Sequence, residues 1–291
     1  MLDLKNSLRR DSYLTDGRAL LQFEGMKFDF LLAVQEYIET KSNKKIRQPH
    51  ESLHKQVPLT SQIPIGESLN HYSVYLSDAS QKLVDTYYRF IKYLSQKMVD
   101  FDFVFEANPM LRVHFPGKLP DRFRSTEGKI LAYHSDTLLD SPFEEINCWL
   151  PLTSCEGNGS LQIANLINSK IILDEFCTGI DYDSERYLSG RMAFFHKLNT
   201  DRQFQMRVID ACQPLAIDYG NILLFDSRTI HGTAENDTDN TRVSIDFRIV
   251  PVEQYNEIDA AYHQCGNSIP SFEGQPIMKG GFYHQLSARE L

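Results

Sequence analysis

The stretch NILLFDSRTIHGTAENDTDNTRVSIDFRIV, residues 221–250, contains two apolar β-strand patterns separated by a polar loop. His231 follows the first pattern and Arg242 opens the second. Successive side chains of a strand point to opposite faces. The second pattern therefore places four polar side chains on one face: Arg242, Ser244, Asp246 and Arg248. It places four apolar side chains on the other: Val243, Ile245, Phe247 and Ile249. The stretch predicts an antiparallel strand whose polar face is either solvated or lines a site near His231.

The same alternation continues through residues 104–250, where short apolar segments are separated by Gly, Pro, Asn and Asp. We predict eight strands: MLRVHF (110–115), KILAYH (129–134), EINCWLPL (145–152), GSLQIAN (159–165), MAFFHKL (192–198), PLAID (214–218), NILLFD (221–226) and RVSIDFRIV (242–250). Strands at such spacing are typical of a sandwich or a barrel.

The first third of the chain is predicted to be mainly helical. FDFLLAVQEYIETK (28–41) and DASQKLVDTYYRFIKYLSQKM (78–98) carry apolar residues at helical spacing, which indicates core packing. Ser77, Asp78 or Ser80 could cap the second helix. We predict a single domain, 1–291, composed of a mainly helical N-terminal part (1–103), a β core (104–250) and a loop-rich C-terminal extension (251–291).

Composition excludes several classes of protein. A net charge of -9 argues against general nucleic-acid binding, because no broad face would neutralise phosphates. Five cysteines without a C-x-x-C motif argue against a disulfide framework or a zinc knuckle. The N-terminus lacks the apolar segment of a signal peptide, and no apolar run is long enough to cross a membrane. We therefore expect a cytoplasmic protein whose partner is a small molecule.

A second stretch, AYHSDTLLD (132–140), places His134 and Asp136 two residues apart. On a strand that runs into a turn these side chains share a face, as two ligands of one metal would. A solvated surface pair is the alternative. Together with His231 they make two histidines and one carboxylate, the facial triad of non-haem Fe(II) oxygenases. Arg242 and Ser244 would offer a forked guanidinium and a hydroxyl to a carboxylate.

These motifs, H-S-D (134–136), His231 and R-V-S (242–244), resemble the Fe(II)/2-oxoglutarate-dependent dioxygenases. The most similar branch is that of phytanoyl-CoA dioxygenase and ectoine hydroxylase, including the streptomycin-biosynthesis-type oxygenases. The resemblance covers residues from about 110 to 250. It implies a mainly β fold with flanking helices, a double-stranded β-helix (a cupin-like jelly roll).

The resemblance also implies the cofactors and their ligands. Fe(II) would bind His134, Asp136 and His231, and O2 would react there with the co-substrate 2-oxoglutarate. The residues implied to hold 2-oxoglutarate are Arg242, Ser244, Thr137 and Thr233. The halogenating relatives lack the metal carboxylate, so Asp136 favours hydroxylation or a related oxidation, with release of succinate and CO2.

The substrate is expected to be small and polar, such as a sugar, an amino acid or a natural-product intermediate. The candidate lining residues are Asn147, Gln162, Arg248 and His114. Asn147 could equally bond to backbone, and an ordinary hydrogen-bonded role for His114 is favoured over a co-substrate contact. Two rivals remain: a metal-binding cupin-type isomerase, which usually has an H-x-H strand absent here, and a non-catalytic ligand-binding jelly roll.

Overall fold

The computed structural model describes residues 17–47, 49–57, 71–117, 124–125, 128–129, 133–139, 141–178, 190–256, 283 and 286–291. The strands are β1 (Arg18–Gln22), β2 (His71–Tyr75), β3 (Phe103–Phe105), β4 (Met110–His114), β5 (Arg124–Ser125), β6 (Gly128–Lys129), β7 (Ile146–Pro151), β8 (Leu161–Ile163), β9 (Gln213–Pro214), β10 (Asn221–Asp226), β11 (His231–Thr233) and β12 (Arg242–Pro251). The α-helices are α1 (Phe30–Ser42), α2 (Leu53–Gln56), α3 (Leu76–Ala79), α4 (Gln81–Tyr93), α5 (Leu166–Thr178), α6 (Gly190–Thr200) and α7 (Arg202–Ala211).

The main sheet is seven-stranded, with the order β1-β10-β7-β12-β4-β2 and with β3 also paired to β12. All of its pairings are antiparallel. β12 is central, and its partners include β7 on one side and β4 on the other. Its side chains alternate between two faces as the sequence predicts. The four apolar ones are all buried in the largest apolar core: Val243, Ile245, Phe247 and Ile249.

A smaller sheet has the order β11-β8-β9. Its apolar side chains pack against the main sheet in one cluster, in which Leu161 and Ile163 of β8 join Trp149 of β7 and Phe225 of β10. The two sheets therefore face each other across an interior that is apolar at this point. The polar face of β12 carries Arg242 and lies on the same side of the main sheet as Trp149, because paired strand residues share a face.

Helices cover the outer face of the main sheet and form a second cluster of their own. α1 and α4 pack on the outer face of the main sheet through side chains such as Val34 and Phe90. Ser80 caps α4, since its hydroxyl accepts a hydrogen bond from the Leu83 N–H at 3.2 Å. A second apolar cluster unites α5, α6 and α7 around Phe176, Phe194 and other buried side chains.

The structure confirms five of the predicted strands, those that became β4, β7, β8, β10 and β12. The strand prediction for residues 192–198 was wrong, because this segment belongs to α6. Phe194 and Leu198 are buried while His196 between them is exposed, and on a strand all three side chains would share one face. PLAID is also mostly not a strand: β9 ends at Pro214, and Ile217 forms an isolated bridge.

The N-terminal part contains strands as well as helices, since β1 and β2 form the two ends of the main sheet. Of KILAYH, residues 130–132 lie outside the described residues, and His134 forms an isolated bridge with His231. Most of the C-terminal extension (257–282 and 284–285) also lies outside them. None of the helices among the described residues combines the length and apolarity that a membrane crossing requires.

Candidate metal centre

Two histidines and one aspartate meet where the chain enters the smaller sheet. His134 and His231 form an antiparallel bridge, with their backbone N–H groups donating to each other's carbonyls at 2.9 and 2.8 Å. Asp136 opens a short 3-10 helix, Asp136–Leu139, and its N–H donates to the Ser227 carbonyl. One ligand atom from each of the three side chains lies within 4.8 Å of the other two. The H-x-D motif and the distal histidine thus form one cluster.

The carboxylate of Asp136 directs one oxygen into this cluster. Its Oδ1 lies 3.4 Å from Nε2 of His134 and 3.9 Å from Nε2 of His231. Asp136 is 1% exposed, and its Oδ1 has no hydrogen-bond partner among the described residues. A buried carboxylate oxygen between two imidazole nitrogens is a donor set that fits a divalent cation.

The imidazole of His231 is neutral and can offer one nitrogen to a metal. Its Nδ1 lies 3.0 Å from the Thr229 carbonyl, so this nitrogen carries the proton and Nε2 keeps its lone pair for a metal. Burial lowers the pKa of His231 to about 4, and nearby His134 acts in the same direction, outweighing Asp136. The ring is therefore uncharged at neutral pH.

The carboxyl group of Asp136 is ionised. Burial by itself would raise its pKa, but the Arg248 guanidinium and the two imidazoles outweigh burial and hold this pKa well below its ordinary value. Arg248 donates to Asp136 Oδ2 through Nη2 at 3.3 Å and Nε at 3.4 Å. The same guanidinium lies 3.3 Å from Glu106 Oε2 and 3.4 Å from Glu145 Oε1.

Arg242, unlike Arg248, is not paired with an acidic side chain among the described residues. It is 3% exposed, and among the described residues no Asp or Glu forms an ion pair with it. Its Nη1 and Nη2 make two long contacts, each 3.4 Å, with the Gly159 carbonyl and Thr233 Oγ1. Its Nε has no described partner, and burial lowers its pKa to about 10. A buried cation this poorly paired among the described residues is a candidate site for an anion.

The other residues predicted to hold a co-substrate lie close to this arginine or to the metal cluster. Ser244 is fully buried two residues after Arg242 on β12, and its hydroxyl has no described partner. Thr233 contacts Arg242 directly. Thr137 follows Asp136 and is buried, but its hydroxyl is 2.7 Å from that of Ser135, which gives it a partner within its own loop.

The four candidate lining residues have different positions. Asn147 lies on the inner face of β7, paired with Phe225 and Arg248, and its Nδ2 is buried without a described partner. Gln162 is paired with Gly232, which alternates with His231 and Thr233, so it lies on the opposite face of the smaller sheet.

The Gln162 amide donates to the carbonyls of Gly157 and Ser160, so hydrogen bonding to its own loop accounts for this buried side chain. His114 is fully buried and lies opposite Arg242 in the strand register. Arg248 contacts the carboxylates of the chain itself, as given above.

Three residues of this region were missed in the sequence. Glu106 and Glu145 are buried beside Arg248, and Tyr283 donates to Glu145 Oε2 at 2.6 Å. Burial raises the pKa of Glu106 to about 8 and that of Glu145 to about 7, against the opposing effect of Arg248. Strand alternation could have found Glu145, which shares a face with Asn147, and a carboxylate ending the apolar run FVFE could have pointed to Glu106. No local signal marks Tyr283.

No model of a known protein family matches the chain. The streptomycin biosynthesis protein StrG of Streptomyces griseus is 26% identical over 129 residues, which is 44% of this chain and 41% of that protein. The alignment thus covers less than half of the length of either protein.

Solved structures with a similar arrangement include three named enzymes. The non-heme monooxygenase ThoJ, in complex with nickel, is 12% identical with a TM-score of 0.45 over 86% of this chain and 77% of its own. The alpha-ketoglutarate-dependent carbocyclase SnoK of nogalamycin biosynthesis is 11% identical with a TM-score of 0.44, covering 96% of both chains. The alpha-ketoglutarate-dependent epimerase SnoN is 10% identical with a TM-score of 0.46, over 93% and 94%. At these scores, a function for this chain has to be argued from its own residues.

Proposed function

We propose that the protein is an Fe(II)- and 2-oxoglutarate-dependent oxygenase that hydroxylates a small polar molecule. The observation that carries the proposal is the pairing of two sites. A His134–Asp136–His231 cluster, in which Asp136 is buried and both histidines are partly buried, lies beside Arg242, a buried guanidinium without a described carboxylate partner. The cluster fits the facial triad of non-haem iron, which leaves adjacent positions free for other ligands.

The spacing of the two sites supports 2-oxoglutarate as the molecule that joins them. His231 and Thr233 are two residues apart on β11, a separation of roughly 6.6 Å along a strand. Thr233 Oγ1 contacts Arg242 Nη2. A five-carbon dicarboxylate could therefore chelate a metal beside His231 with one end and reach Arg242 with the other. The Ser244 hydroxyl and Arg242 Nε, which have no hydrogen-bond partner among the described residues, would donate to the far carboxylate.

The bound iron and 2-oxoglutarate would supply the activation of O2, with release of succinate and CO2. The protein's own residues would provide ligation, orientation and exclusion of water. His231 presents Nε2 because Thr229 fixes its proton on Nδ1. Apolar side chains on both sheets, including Trp149, Ile163 and Phe225, exclude water around the site. Asn147 offers a free amide N–H to an oxygen of the co-substrate or substrate.

We further propose that the two facing sheets form a double-stranded β-helix, with the cluster between them. A polar substrate is supported by the buried amide of Asn147, and a natural-product intermediate by the likeness to the streptomycin biosynthesis protein StrG. Release of a hydroxylated product, as opposed to a cyclised or epimerised one, is part of this proposal.

The test needs no knowledge of the substrate. Anaerobic protein with Fe(II) and 2-oxoglutarate should develop a weak visible metal-to-ligand charge-transfer band. Admission of O2 should bleach the band and yield succinate. The His231→Ala variant should lose both signals, whereas the matched control His196→Ala, at an exposed position of α6, should keep them.

Two results would contradict the proposal. A wild-type protein that never develops the band with iron and 2-oxoglutarate in excess would favour the cupin or binding-module alternatives. A band that forms while no succinate appears, even in the presence of candidate polar substrates, would exclude the oxygenase activity.

A further inference from the structure

Arg248 is held between three carboxylates. Its guanidinium contacts Asp136, Glu106 and Glu145 at 3.3–3.4 Å. The side chain of Arg248 is 24% exposed, and the three acidic side chains are each at most 4% exposed. Such a cluster is costly to bury unless its geometry is fixed by several hydrogen bonds. Its position beside a candidate metal ligand therefore calls for a role in the site.

The two oxygens of Asp136 are used differently. Oδ1 faces the Nε2 atoms of His134 and His231. Oδ2 instead accepts two hydrogen bonds from Arg248, one from Nε and one from Nη2. One oxygen is thus left for a cation, while the other is occupied by a positive charge.

Other groups fix the guanidinium from its remaining sides. Glu106 Oε2 accepts from Nη1, and Glu145 Oε1 lies near Nε. Glu145 is itself fixed by the hydroxyl of Tyr283. The two glutamates flank β3 and β7, and Tyr283 belongs to the C-terminal segment, so the guanidinium cannot turn away from Asp136 without losing several contacts.

We propose that Arg248 is a positioning residue that restricts Asp136 to a single metal-ligand oxygen, with Glu106 and Glu145 fixing its orientation. The inference rests on the proposed function. A carboxylate can bind a cation through one oxygen or through both. A two-oxygen Asp136 would occupy a position that 2-oxoglutarate or O2 needs. By donating to Oδ2, Arg248 keeps three adjacent positions of a six-coordinate metal open.

The test uses Mn(II) alone as the probe, since this ion accepts the same nitrogen and oxygen ligands. Water-proton relaxation of the Mn(II)-loaded protein counts the exchangeable waters on the ion. We expect about three waters in the wild type, from six positions less three protein ligands. In Arg248→Met, Oδ2 is released to bind the ion, and the count should fall to about two.

The single variant leaves three buried acidic side chains, Asp136 among them as an anion, without a counter-charge, and it could fail to fold. The double variant Arg248→Met with Glu106→Gln also removes one of these ionisable side chains, so it should fold while giving the same count of about two waters. Arg112→Met is the matched control. Arg112 pairs with Asp246 through Nε at 2.8 Å, a guanidinium–carboxylate pair that contacts none of the three candidate ligands, so the count should stay at about three.

The outcomes separate the two proposals. A wild-type protein that binds no Mn(II), or binds it equally well after His231→Ala, would overturn the proposed metal site. A wild-type count of about three that is unchanged in a folded Arg248 variant would overturn only the role of Arg248. A fall to two in the Arg248 variants but not in Arg112→Met would support it.

Discussion

Two arginines six residues apart on the same face of β12 carry their charge in opposite settings. Arg248 has three carboxylates around it, whereas Arg242 has only neutral described acceptors at 3.4 Å. The sequence predicts that both face one way, because strand alternation depends on position alone. It does not predict which one is paired, since Asp136, Glu106 and Glu145 approach from distant parts of the chain. The unpaired arginine is the candidate for an external anion, and the paired one for internal support.

Removing the Arg242 charge should separate ligand binding from stability. In Arg242→Met the 2-oxoglutarate dissociation constant should rise by about 100-fold or more, because charge-assisted hydrogen bonds are lost. The melting temperature of the ligand-free protein should not fall, since a buried and poorly paired cation is also removed. Calorimetric titration of the Mn(II)-loaded protein and thermal melts measure the two effects.

Ser244→Ala should weaken 2-oxoglutarate binding by only about fivefold, because one neutral donor contributes roughly 1 kcal/mol. Arg202→Ala, an exposed arginine at the start of α7, serves as the control and should bind as the wild type does. Wild-type affinity in Arg242→Met would remove Arg242 from the co-substrate site.

At the scale of elements, period-two patterns were informative where a strand is amphipathic or long. β12 and β10 were predicted within a residue of their observed ends. The α5–α7 region was not predicted, and α6 was read as a strand, because a short apolar run has no length or period that distinguishes the two. β1 and β2 were missed for a different reason. Their strand conformation depends on pairing with β10 and β4, which lie far away in the sequence.

The contribution of the N-terminal cap of α4 to stability can be measured. The sequence offered Ser77, Asp78 or Ser80 as the cap, and the structure confirms Ser80. Ser80→Ala should lower the free energy of unfolding by about 1 kcal/mol, because the Leu83 N–H loses its acceptor. Ser77→Ala, at an exposed position one turn earlier, should change it by less than about 0.5 kcal/mol. Urea titrations give both values, and equal losses would show that capping is not the cause.

At the scale of the whole molecule, helices cover the outer side of the main sheet, and α5–α7 form a second cluster next to the smaller one. The interior between the sheets combines apolar packing with the buried ionisable groups around Arg248. The sequence could predict the polar face of β12, but it could not predict that this face is enclosed, because enclosure depends on the second sheet. Enclosure is what shifts the pKa values of these carboxylates.

The raised pKa values of Glu106 and Glu145 give the folded protein a specific pH dependence. An unfolded chain releases these protons near its ordinary glutamate pKa, whereas burial raises the folded values to about 8 and about 7. At a pH between the unfolded and the folded pKa values, the folded state binds more protons than the unfolded state. These groups therefore make the free energy of unfolding fall as the pH rises. His231 acts oppositely, but its lowered pKa has its effect below its unfolded value of 6.5.

A variant of Glu106 isolates the contribution of this residue to the pH dependence of the free energy of unfolding in the metal-free protein. Glu106→Gln should gain stability relative to the wild type as the pH rises from about 6 to about 8.5, by about 2–3 kcal/mol. Urea titrations at these two pH values measure the difference. Glu24→Gln, at an exposed surface position, should run parallel to the wild type over the same range. If Glu106→Gln also ran parallel, Glu106 would be ionised throughout, and Arg248 would then outweigh burial at this position.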